Sequence, residues 1–295
     1  MVGSVSPMRI RGSLAGASGV MVASLGMATA PTIGLDVGAT LCKVAVLTDA
    51  LVTEHHPSHD LDAVSRRVEA LAPARIVATG GGAAALAGAL AGRRVDRVSE
   101  FDAWACGAPV VAHAEGVALP ARHLLVSLGT GTSILAIDGP RATRAGGTAI
   151  GGGTALGLAT LLLGVERFED LVTLAALGDR RRVDLLVSEV YPDLDGTVAR
   201  NLTASNFAKI GSTRPEDLAH ALMGLVGETV VLVSLGLARA AGTDTVVFCG
   251  TTLAHNPPLR AIVAEIATFF GLVPLFLAGG AYCGAVGAAS FSQPA

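Results

Sequence analysis

Short apolar runs that end at glycine alternate along the chain with longer segments of helical periodicity. The runs TIGLDVG (32–38) and LCKVAVLTD (41–49) predict two strands around a turn, and LVTEHHPSH (51–59) predicts a third strand. A helix is expected at 61–72. The segment RIVATGGGAAALAGAL (75–90) then predicts a strand, a glycine turn and a helix.

The same plan begins again in the second half of the chain. A short strand and a helix that starts at Ser99 or Glu100 end the first half, and Pro120 interrupts the helical pattern near 116–122. A strand, a Gly-containing turn and a second strand then occupy 124–137, as they do at 33–47. This repeat predicts an α/β protein of two lobes, each a mixed β-sheet with helices.

Further elements complete the second lobe. They are helices near 154–163, 168–177, 180–190 and 215–241, a strand ending at Gly250, a helix in NPPLRAIVAEIATFFG, a strand VPLFL and a terminal helix CGAVGAASF. We interpret Arg180 to Arg182 as the solvated start of one of these helices. The lobes are expected at 31–118 and 119–295, with the last helix able to pack back on the first lobe.

Composition and charge exclude several classes of protein. The 295 residues carry 21 Lys+Arg against 24 Asp+Glu, a net charge of -3, and no basic run interleaved with aromatics, so we expect no nucleic-acid partner. Hydrophobic residues make up 51% of the chain, yet Gly, Ser and charged residues interrupt the apolar runs, so no membrane span is predicted. The cysteines form no C-x-x-C pair, which argues against zinc and disulfides and fits reduced thiols in the cytoplasm.

Residues 1–30 imitate a signal peptide without matching one closely. Arg9 and Arg11 precede a weakly apolar stretch and a final A-T-A, but Gly and Ser stand where an export signal has leucines. We interpret the segment as a disordered extension, or as sequence upstream of a later methionine start, with export as the alternative.

The stretch IGLDVGATLCK (33–43) contains the first candidate site. Asp36 ends a strand, Gly38 and Thr40 lie in the turn, and Lys43 lies at the start of the next strand. The backbone N–H groups of such a turn suit phosphate oxygens, Lys43 adds a positive charge, and Asp36 could hold Mg²⁺ through water. An ordinary hairpin with an exposed lysine explains the stretch equally well, because short glycine motifs often occur without a function. The stretch matches neither the P-loop nor the Rossmann motif.

Two glycine-rich stretches in the second lobe offer further anion sites. The sequence SLGTGTS (127–133) places Gly129, Thr130 and Gly131 in a hairpin turn that lets backbone donors approach an anion closely. Three glycines at 151–153 precede a helix whose free N–H groups and positive dipole end could face an anion, although a mobile loop with a helix cap is the alternative. With the first hairpin, these stretches predict a nucleotide whose phosphates lie in the cleft between the lobes.

Charged residues outside the glycine loops supply the remaining candidates. Glu100 lies between a short strand and a helix, where a general base for a substrate hydroxyl could stand, and Phe101 and Trp104 could limit water there. Helix capping accounts for Asp102 and remains open as the explanation of Glu100. Arg144 could bind a carboxylate through its fork of donors, or it could be a surface arginine.

The order of these motifs resembles that of the type II pantothenate kinases. The resemblance runs from about 32 to 290 and is carried by GLDVGATLCK, TGGGA, EFDAWACG, LLVSLGTGTSIL, RAGGTAIGGGTALGLATLLLG, LAALGD, VDLLVSEVY, LTASNFAK, VVFCGTTL and YCGAVGA. It implies the actin-like, sugar-kinase and Hsp70 type of fold. It also implies ATP-dependent phosphorylation of pantothenate, the first step towards coenzyme A, in a homodimer.

The resemblance assigns roles residue by residue. It implies that Glu100 is the catalytic base, that Arg144 binds the pantothenate carboxylate, and that Ser133 lies on the substrate side. The implied nucleotide-binding residues are Asp36, Gly38, Thr40 and Lys43 in the first loop, Gly129, Thr130 and Gly131 in the second, Gly152 and Gly153 in the glycine run, and Gly250 with Thr251 on the adenosine side.

One residue departs from the family pattern. The family usually has Gly-Gly-Thr in the first loop, and the second glycine is Ala39 here. If that position needs a positive φ, the methyl group costs roughly 1 to 2 kcal/mol. Ala39 therefore favours a catalytically weak, nucleotide-dependent regulatory module as one alternative; a sugar or N-acetylhexosamine kinase of the same superfamily is the other.

Overall fold

The computed structural model describes residues 31–90, 92–193 and 202–291, so the interpretation of residues 1–30 lies outside the described chain. Two compact units are present. Unit 1 consists of the described residues up to Leu119 together with the described segment from Leu277, and unit 2 is Pro120–Phe276.

Unit 1 is built around a mixed sheet of five strands within its described residues. The elements are β1 (Thr32–Val37), β2 (Leu41–Leu47), β3 (Leu51–Pro57), α1 (Leu61–Leu71), β4 (Arg75–Thr79), α2 (Ala83–Ala89), β5 (Val95–Arg97) and α3 (Glu100–Ala114). The strand order is β3-β2-β1-β4-β5, with β1, β2 and β3 antiparallel and β4 and β5 parallel to β1. Apolar side chains such as Ile33, Leu35 and Val44 are fully buried and form its core with α1 and α2.

Unit 2 repeats this topology with a second sheet. Its elements are β6 (Arg122–Leu128), β7 (Thr132–Asp138), β8 (Arg141–Thr148), α4 (Gly152–Leu163), α5 (Phe168–Ala175), β9 (Leu185–Leu186), α6 (Val187–Val190), β10 (Thr203–Ser205), α7 (Pro215–Ala241), β11 (Thr245–Cys249), α8 (Pro257–Phe269) and β12 (Val273–Phe276). The order β8-β7-β6-β11-β12 has the same strand directions as the first sheet. The predicted repeat of strand, turn and strand is confirmed.

The last helix, α9 (Cys283–Ser290), belongs to unit 1 and packs backbone to backbone on β1 and α3. A Cβ atom on Gly34 would lie 1.9 Å from the Ala285 carbonyl oxygen, and one on Gly107 would lie 1.9 Å from the Cys283 carbonyl oxygen. Glycine is required at these positions because no side chain fits, so strand and helix approach more closely than ordinary packing allows.

The expected helix at 180–190 is wrong. A single 3₁₀ turn covers Arg180–Arg182, the short strand β9 follows, and only α6 is helical. Arg180 is buried rather than solvated, and its guanidinium binds Glu228 of α7. The ion pair between Arg180 and Glu228 holds this part of the chain against α7. A helix that began at Arg180 with its side chain in water could not form this pair.

The helix α7 corrects the expectation that no segment has the character of a membrane span. By length and apolar composition it is the one helix among those described that could cross a membrane. However, 67% of its most apolar window is buried inside unit 2, and it buries Asp217 and Glu228, both with polar partners. The helix is therefore long and apolar because it forms the centre of a protein core.

Candidate active site

The first candidate site lies at the ends of β1 and β2. Asp36 and Lys43 are direct partners in the antiparallel ladder, and Nζ of Lys43 is 3.2 Å from Oδ2 of Asp36. Their side chains are only 5% and 12% exposed, so water screens this ion pair little. The sequence alternative of an exposed lysine on an ordinary hairpin is wrong for Lys43.

The turn between β1 and β2 is fixed by its own backbone and by Ser58. The Gly38 N–H donates to the Leu41 carbonyl at 3.0 Å, the Ser58 N–H donates to the Thr40 carbonyl at 2.9 Å, and Ser58 Oγ donates to the Gly38 carbonyl at 2.7 Å. Sequence reasoning missed Ser58, because a serine after a strand carries no signal for a partner on another turn. Gly38 and Thr40 are thereby held in one defined loop.

Ala39 is accommodated in this turn without backbone strain. The non-glycine residues with positive φ in the described chain are Ala72, Phe207, Ile210 and His255, and Ala39 is not among them. The cost of a methyl group at a position with positive φ therefore does not apply to Ala39. Its side chain is exposed to solvent.

Glu100 is the first residue of α3, with Ser99 as the N-cap. Burial of its surroundings raises the pKa of the Glu100 carboxyl, the negative charge of Asp36 raises it further, and Lys43 opposes both. As a residue Glu100 is exposed, so a substrate could reach it. A carboxylate with a raised pKa beside an ion pair has the properties of a general base.

Asp102 has the capping role expected from the sequence. Its N–H donates to Ser99 Oγ at 3.1 Å, and Ser99 Oγ donates to its carboxylate at 2.7 Å. Of the two neighbouring acids, Asp102 is thus occupied in holding the helix start, while Glu100 interacts with Asp36 and Lys43 only through their charges.

The second candidate site lies in unit 2, where a hairpin turn, a helix start and a strand end meet. The Gly152 N–H donates to the Gly129 carbonyl and the Gly153 N–H to the Thr130 carbonyl, each at 2.9 Å. The prediction of free N–H groups at these two positions is therefore wrong. Gly152 and Gly153 allow the helix start to pack closely on the hairpin, since a Cβ on Gly153 would lie 2.6 Å from Thr130 Cγ2.

The end of β11 joins the same cluster. Gly250 has φ +109, and a Cβ there would lie 2.1 Å from the Leu128 carbonyl oxygen, so only glycine fits. Thr252 Oγ1 donates to the Gly129 carbonyl at 2.8 Å, a contact that sequence reasoning missed. Thr251 lies between these two residues in the same turn. The structure therefore brings together Gly129, Thr130, Gly131, Gly152, Gly153, Gly250 and Thr251.

Ser133 and Arg144 lie on the sheet beside that cluster. Ser133 of β7 pairs with Gly147 of β8, and Arg144 of β8 pairs with Leu135 of β7. Arg144 is exposed and Ser133 is partly buried. A register shift between Ile134 and Leu135 separates the two rungs. An arginine here can offer its donors to a small anionic molecule over the strand surface.

The donors of unit 1 fit a magnesium ion held through water. Mg²⁺ usually takes one or two carboxylates and keeps several of its waters, and Asp36 supplies one buried carboxylate at a strand end. No cluster of three or more His, Cys, Asp or Glu side chains occurs in the described ranges, so a metal held entirely by protein ligands finds no such set there.

Comparison with known proteins adds the family context. The family model described as Fumble matches residues 51–290. A type II pantothenate kinase of Oceanobacillus iheyensis is 36% identical over 261 residues, covering 87% of this chain and 97% of the relative. A type II pantothenate kinase of Bacillus cereus is 33% identical over 265 residues with the same coverage.

Solved structures show the fold. Component A of (R)-2-hydroxyglutaryl-CoA dehydratase from Acidaminococcus fermentans has a TM-score of 0.59 at 21% identity, covering 88% of this chain and 96% of that one. A ROK family glucokinase from Streptomyces griseus, in complex with glucose and AMPPNP, has a TM-score of 0.56 at 15% identity, covering 88% and 98%. At these identities the likeness concerns the fold alone, and it confirms the expected actin-like class with two mixed sheets.

Proposed function

The chain belongs to the Fumble family of type II pantothenate kinases, and on that premise we propose that it catalyses the ATP-dependent phosphorylation of pantothenate, the first step of coenzyme A biosynthesis. The observation that carries this proposal is the match to type II pantothenate kinases at 33% and 36% identity over 97% of their length. The charge cluster of Asp36, Lys43 and Glu100 is the part of the structure that best supports the chemistry.

Glu100 is the proposed catalytic base. Its carboxylate accepts the proton of the primary hydroxyl of pantothenate as the hydroxyl oxygen attacks the terminal phosphorus of ATP, and ADP leaves. The raised pKa of Glu100 makes it a stronger base than an ordinary surface glutamate. General-base assistance of this kind is typically worth about 10² to 10⁴ in rate.

Lys43 and the first turn are proposed to bind the phosphates. Gly38 and Thr40 contribute backbone donors, and Lys43 contributes a positive charge already oriented by Asp36. Asp36 is proposed to hold Mg²⁺ through water; bound there, the ion would neutralise part of the charge on the triphosphate. Most of the catalysis on this view is positioning and electrostatic stabilisation.

Unit 2 is proposed to bind the rest of both substrates. The hairpin at Gly129 to Gly131 forms the second phosphate loop, Gly152 and Gly153 hold that loop in place through their hydrogen bonds to the Gly129 and Thr130 carbonyls, and Gly250 with Thr251 contacts the adenosine. Ser133 and Arg144 bind pantothenate, whose carboxylate matches the planar fork of the guanidinium.

We also propose a cytoplasmic homodimer. Leu161, Leu162 and Leu177 of unit 2 are 83%, 55% and 70% exposed, and a second copy of the chain that covered them would remove apolar surface from water. Sedimentation or light scattering of the purified protein tests the oligomeric state, and a monomer at micromolar concentration would contradict the proposal.

A coupled ADP-release assay with pantothenate and a panel of sugars tests the activity. We expect ADP release when pantothenate is the acceptor and none when a sugar is the acceptor. Phosphorylation of a sugar instead of pantothenate would contradict the proposal. ATP binding without transfer would support the regulatory-module alternative. That alternative has lost its structural argument, because Ala39 causes no strain in the turn.

A further inference from the structure

We propose that Gly284 and Trp104 are positioning residues for the Asp36 carboxylate, an inference that rests on the role proposed above for Asp36. Gly284 lies in the first turn of α9. A Cβ atom there would lie 2.7 Å from Oδ2 of Asp36, 2.9 Å from its Cγ and 3.0 Å from Nε1 of Trp104. The carboxylate and the indole therefore occupy the space that any other residue would fill at 284.

Backbone conformation does not explain this glycine. Gly284 is helical and is not among the residues with positive φ, so an alanine could adopt the same φ and ψ. The helix also packs closely on both sides, since a Cβ on Gly34 would lie 1.9 Å from the Ala285 carbonyl and one on Gly287 would lie 1.7 Å from the Ala103 carbonyl. The atoms nearest to a methyl group at 284 belong to the side chains of Asp36 and Trp104, so these side chains are expected to shift.

A second glycine faces the other oxygen of the same carboxylate. A Cβ on Gly80 would lie 3.0 Å from Oδ1 of Asp36. Gly80 also has φ +88, a backbone conformation that favours glycine, whereas Gly284 has no such conformational need for glycine. We call Gly80, Gly284 and Trp104 the carboxylate slot. It restricts the side chain of Asp36 on both sides.

Trp104 contributes the polar wall of the carboxylate slot. The side chain is 5% exposed, and its Nε1 atom has no hydrogen-bond partner within the described chain. A buried N–H without a partner is costly, and both Nε1 and Oδ2 of Asp36 lie within 3.0 Å of one point. The indole N–H and Oδ2 therefore border the same small space, where one water could join them.

Lys43 and the indole N–H of Trp104 both lie on the Oδ2 side of the Asp36 carboxylate. Lys43 Nζ is 3.2 Å from Oδ2, the oxygen on the Gly284 side. The other oxygen, Oδ1, faces Gly80 and is engaged by neither group. The carboxylate slot consequently fixes which oxygen pairs with the lysine and which is left for the hydrated metal ion that Asp36 is proposed to hold.

A stability cycle tests the slot without reference to activity. Gly284→Ala should lower the melting temperature by several degrees in the wild-type background, and by less than half as much in the Asp36→Ala background, where the carboxylate no longer meets the methyl group. Gly88→Ala is the matched control, because α2 leaves open space around that position. An equal loss in both backgrounds would show that Gly284 does not act through Asp36.

Kinetics then test the positioning role. Gly284→Ala should lower kcat at least tenfold and raise the Mg²⁺ concentration for half-maximal rate, with partial rescue at high Mg²⁺ and with the KM for pantothenate within about twofold of wild type. Gly88→Ala should match wild type in each of these constants. A wild-type kcat and Mg²⁺ dependence in Gly284→Ala would overturn the proposal.

Trp104→Phe keeps the inference testable if Gly284→Ala does not fold. This variant keeps an aromatic ring and removes the N–H, so it should fold, lower kcat several-fold and raise the Mg²⁺ requirement in the same direction. Unchanged Mg²⁺ dependence in Trp104→Phe would remove the indole from the role. If wild-type protein fails to phosphorylate pantothenate, the proposed function fails, whereas the stability cycle still decides whether the slot exists.

Discussion

Lys43 lies directly opposite Asp36 in the β1–β2 ladder, and its ammonium nitrogen is 3.2 Å from the carboxylate oxygen Oδ2. Burial raises the pKa of Glu100, the charge of Asp36 adds to that rise, and the charge of Lys43 opposes it. Lys43 therefore has two effects. It carries the charge proposed to bind the phosphates, and it holds the pKa of the proposed base below the value that burial and Asp36 alone would give.

Replacing Lys43 by methionine should move the acid limb of the pH profile. Loss of a cation that lowers the pKa of Glu100 raises that pKa, and a base works only when deprotonated, so kcat/KM should fall at a higher pH than in wild type. The KM for ATP should rise about tenfold with the lost charge. Lys209→Met is the control, since Lys209 pairs with Glu189 in the other unit. An acid limb that stays in place would contradict the coupling.

Glu100→Gln should lower kcat at least about a hundredfold while the protein stays folded. The folded-state pKa of Glu100 is raised, so in wild type its ionised form opposes folding, and stability falls as pH rises from the ordinary glutamate value through the raised one. Glutamine removes this loss. The variant should therefore melt at least as high as wild type at pH 8.

Steady-state kinetics and thermal unfolding at pH 5 and pH 8 measure both effects. Asp102→Asn is the matched control for Glu100→Gln, because Asp102 is occupied at the helix cap and should leave kcat within about twofold. Near-normal turnover in Glu100→Gln would remove this residue from the role of base.

Arg144→Ala should raise the KM for pantothenate at least about tenfold and leave the KM for ATP unchanged, since loss of a charged hydrogen-bond pair costs about 1.5 to 3 kcal/mol. Arg141→Ala, three residues earlier on β8, is the control and should be neutral. Initial rates with each substrate varied in turn give the two constants. Equal effects of the two substitutions would mean that Arg144 acts only through general charge.

Ala39→Gly should leave the KM for ATP within about twofold of wild type. The turn has no positive φ at this position, so glycine relieves no strain and only adds freedom to the unfolded chain, at a cost of about 0.4 to 1 kcal/mol. Nucleotide titration by calorimetry and a melting curve check the two parts. A large gain in ATP affinity would show that the methyl group obstructs the nucleotide directly.

Arg180→Met should destabilise the protein by about 3 to 5 kcal/mol, because it leaves Glu228 and the fully buried Asp184 without their cation. Arg181→Met changes the next residue in the same way, but that side chain is 60% exposed and pairs with Asp179 near the surface, so its effect should stay within about 1 kcal/mol. Urea unfolding of both variants provides the comparison. Equal midpoints would show that the buried pair adds nothing.

The sequence allowed the repeated strand–turn–strand plan to be predicted because its signals are local. The apolar run before Asp36 and the glycine of the turn at Gly38 lie within a few residues of each other, and Ser99 with Asp102 marks a helix start at short range. The strand β8 was not predicted. Its residues RATRAGGT include no large apolar side chain, since it is an edge strand with much of its surface in water.

The predictions that were wrong concern groups whose partners are distant in the sequence. The sequence around Arg180 predicts a solvated side chain, and only the fold brings Glu228 of α7 into contact with it. The N–H groups of Gly152 and Gly153 read as free until the carbonyls of Gly129 and Thr130 accept from them. A local pattern contains the donor or the charge but not the group that satisfies it, so burial and pairing of this kind follow only from tertiary packing.

The place of α9 in unit 1 bears on how this protein is made. The segment from Leu277 completes the unit that the first strands begin. The Ala285 carbonyl of that segment occupies the space where a side chain on Gly34 would lie. On a ribosome, unit 2 emerges as one continuous stretch and can fold when Phe276 has left the exit tunnel. The amino-terminal unit therefore finishes last, and a nascent chain halted before Cys283 should expose the uncovered face of β1 to chaperones.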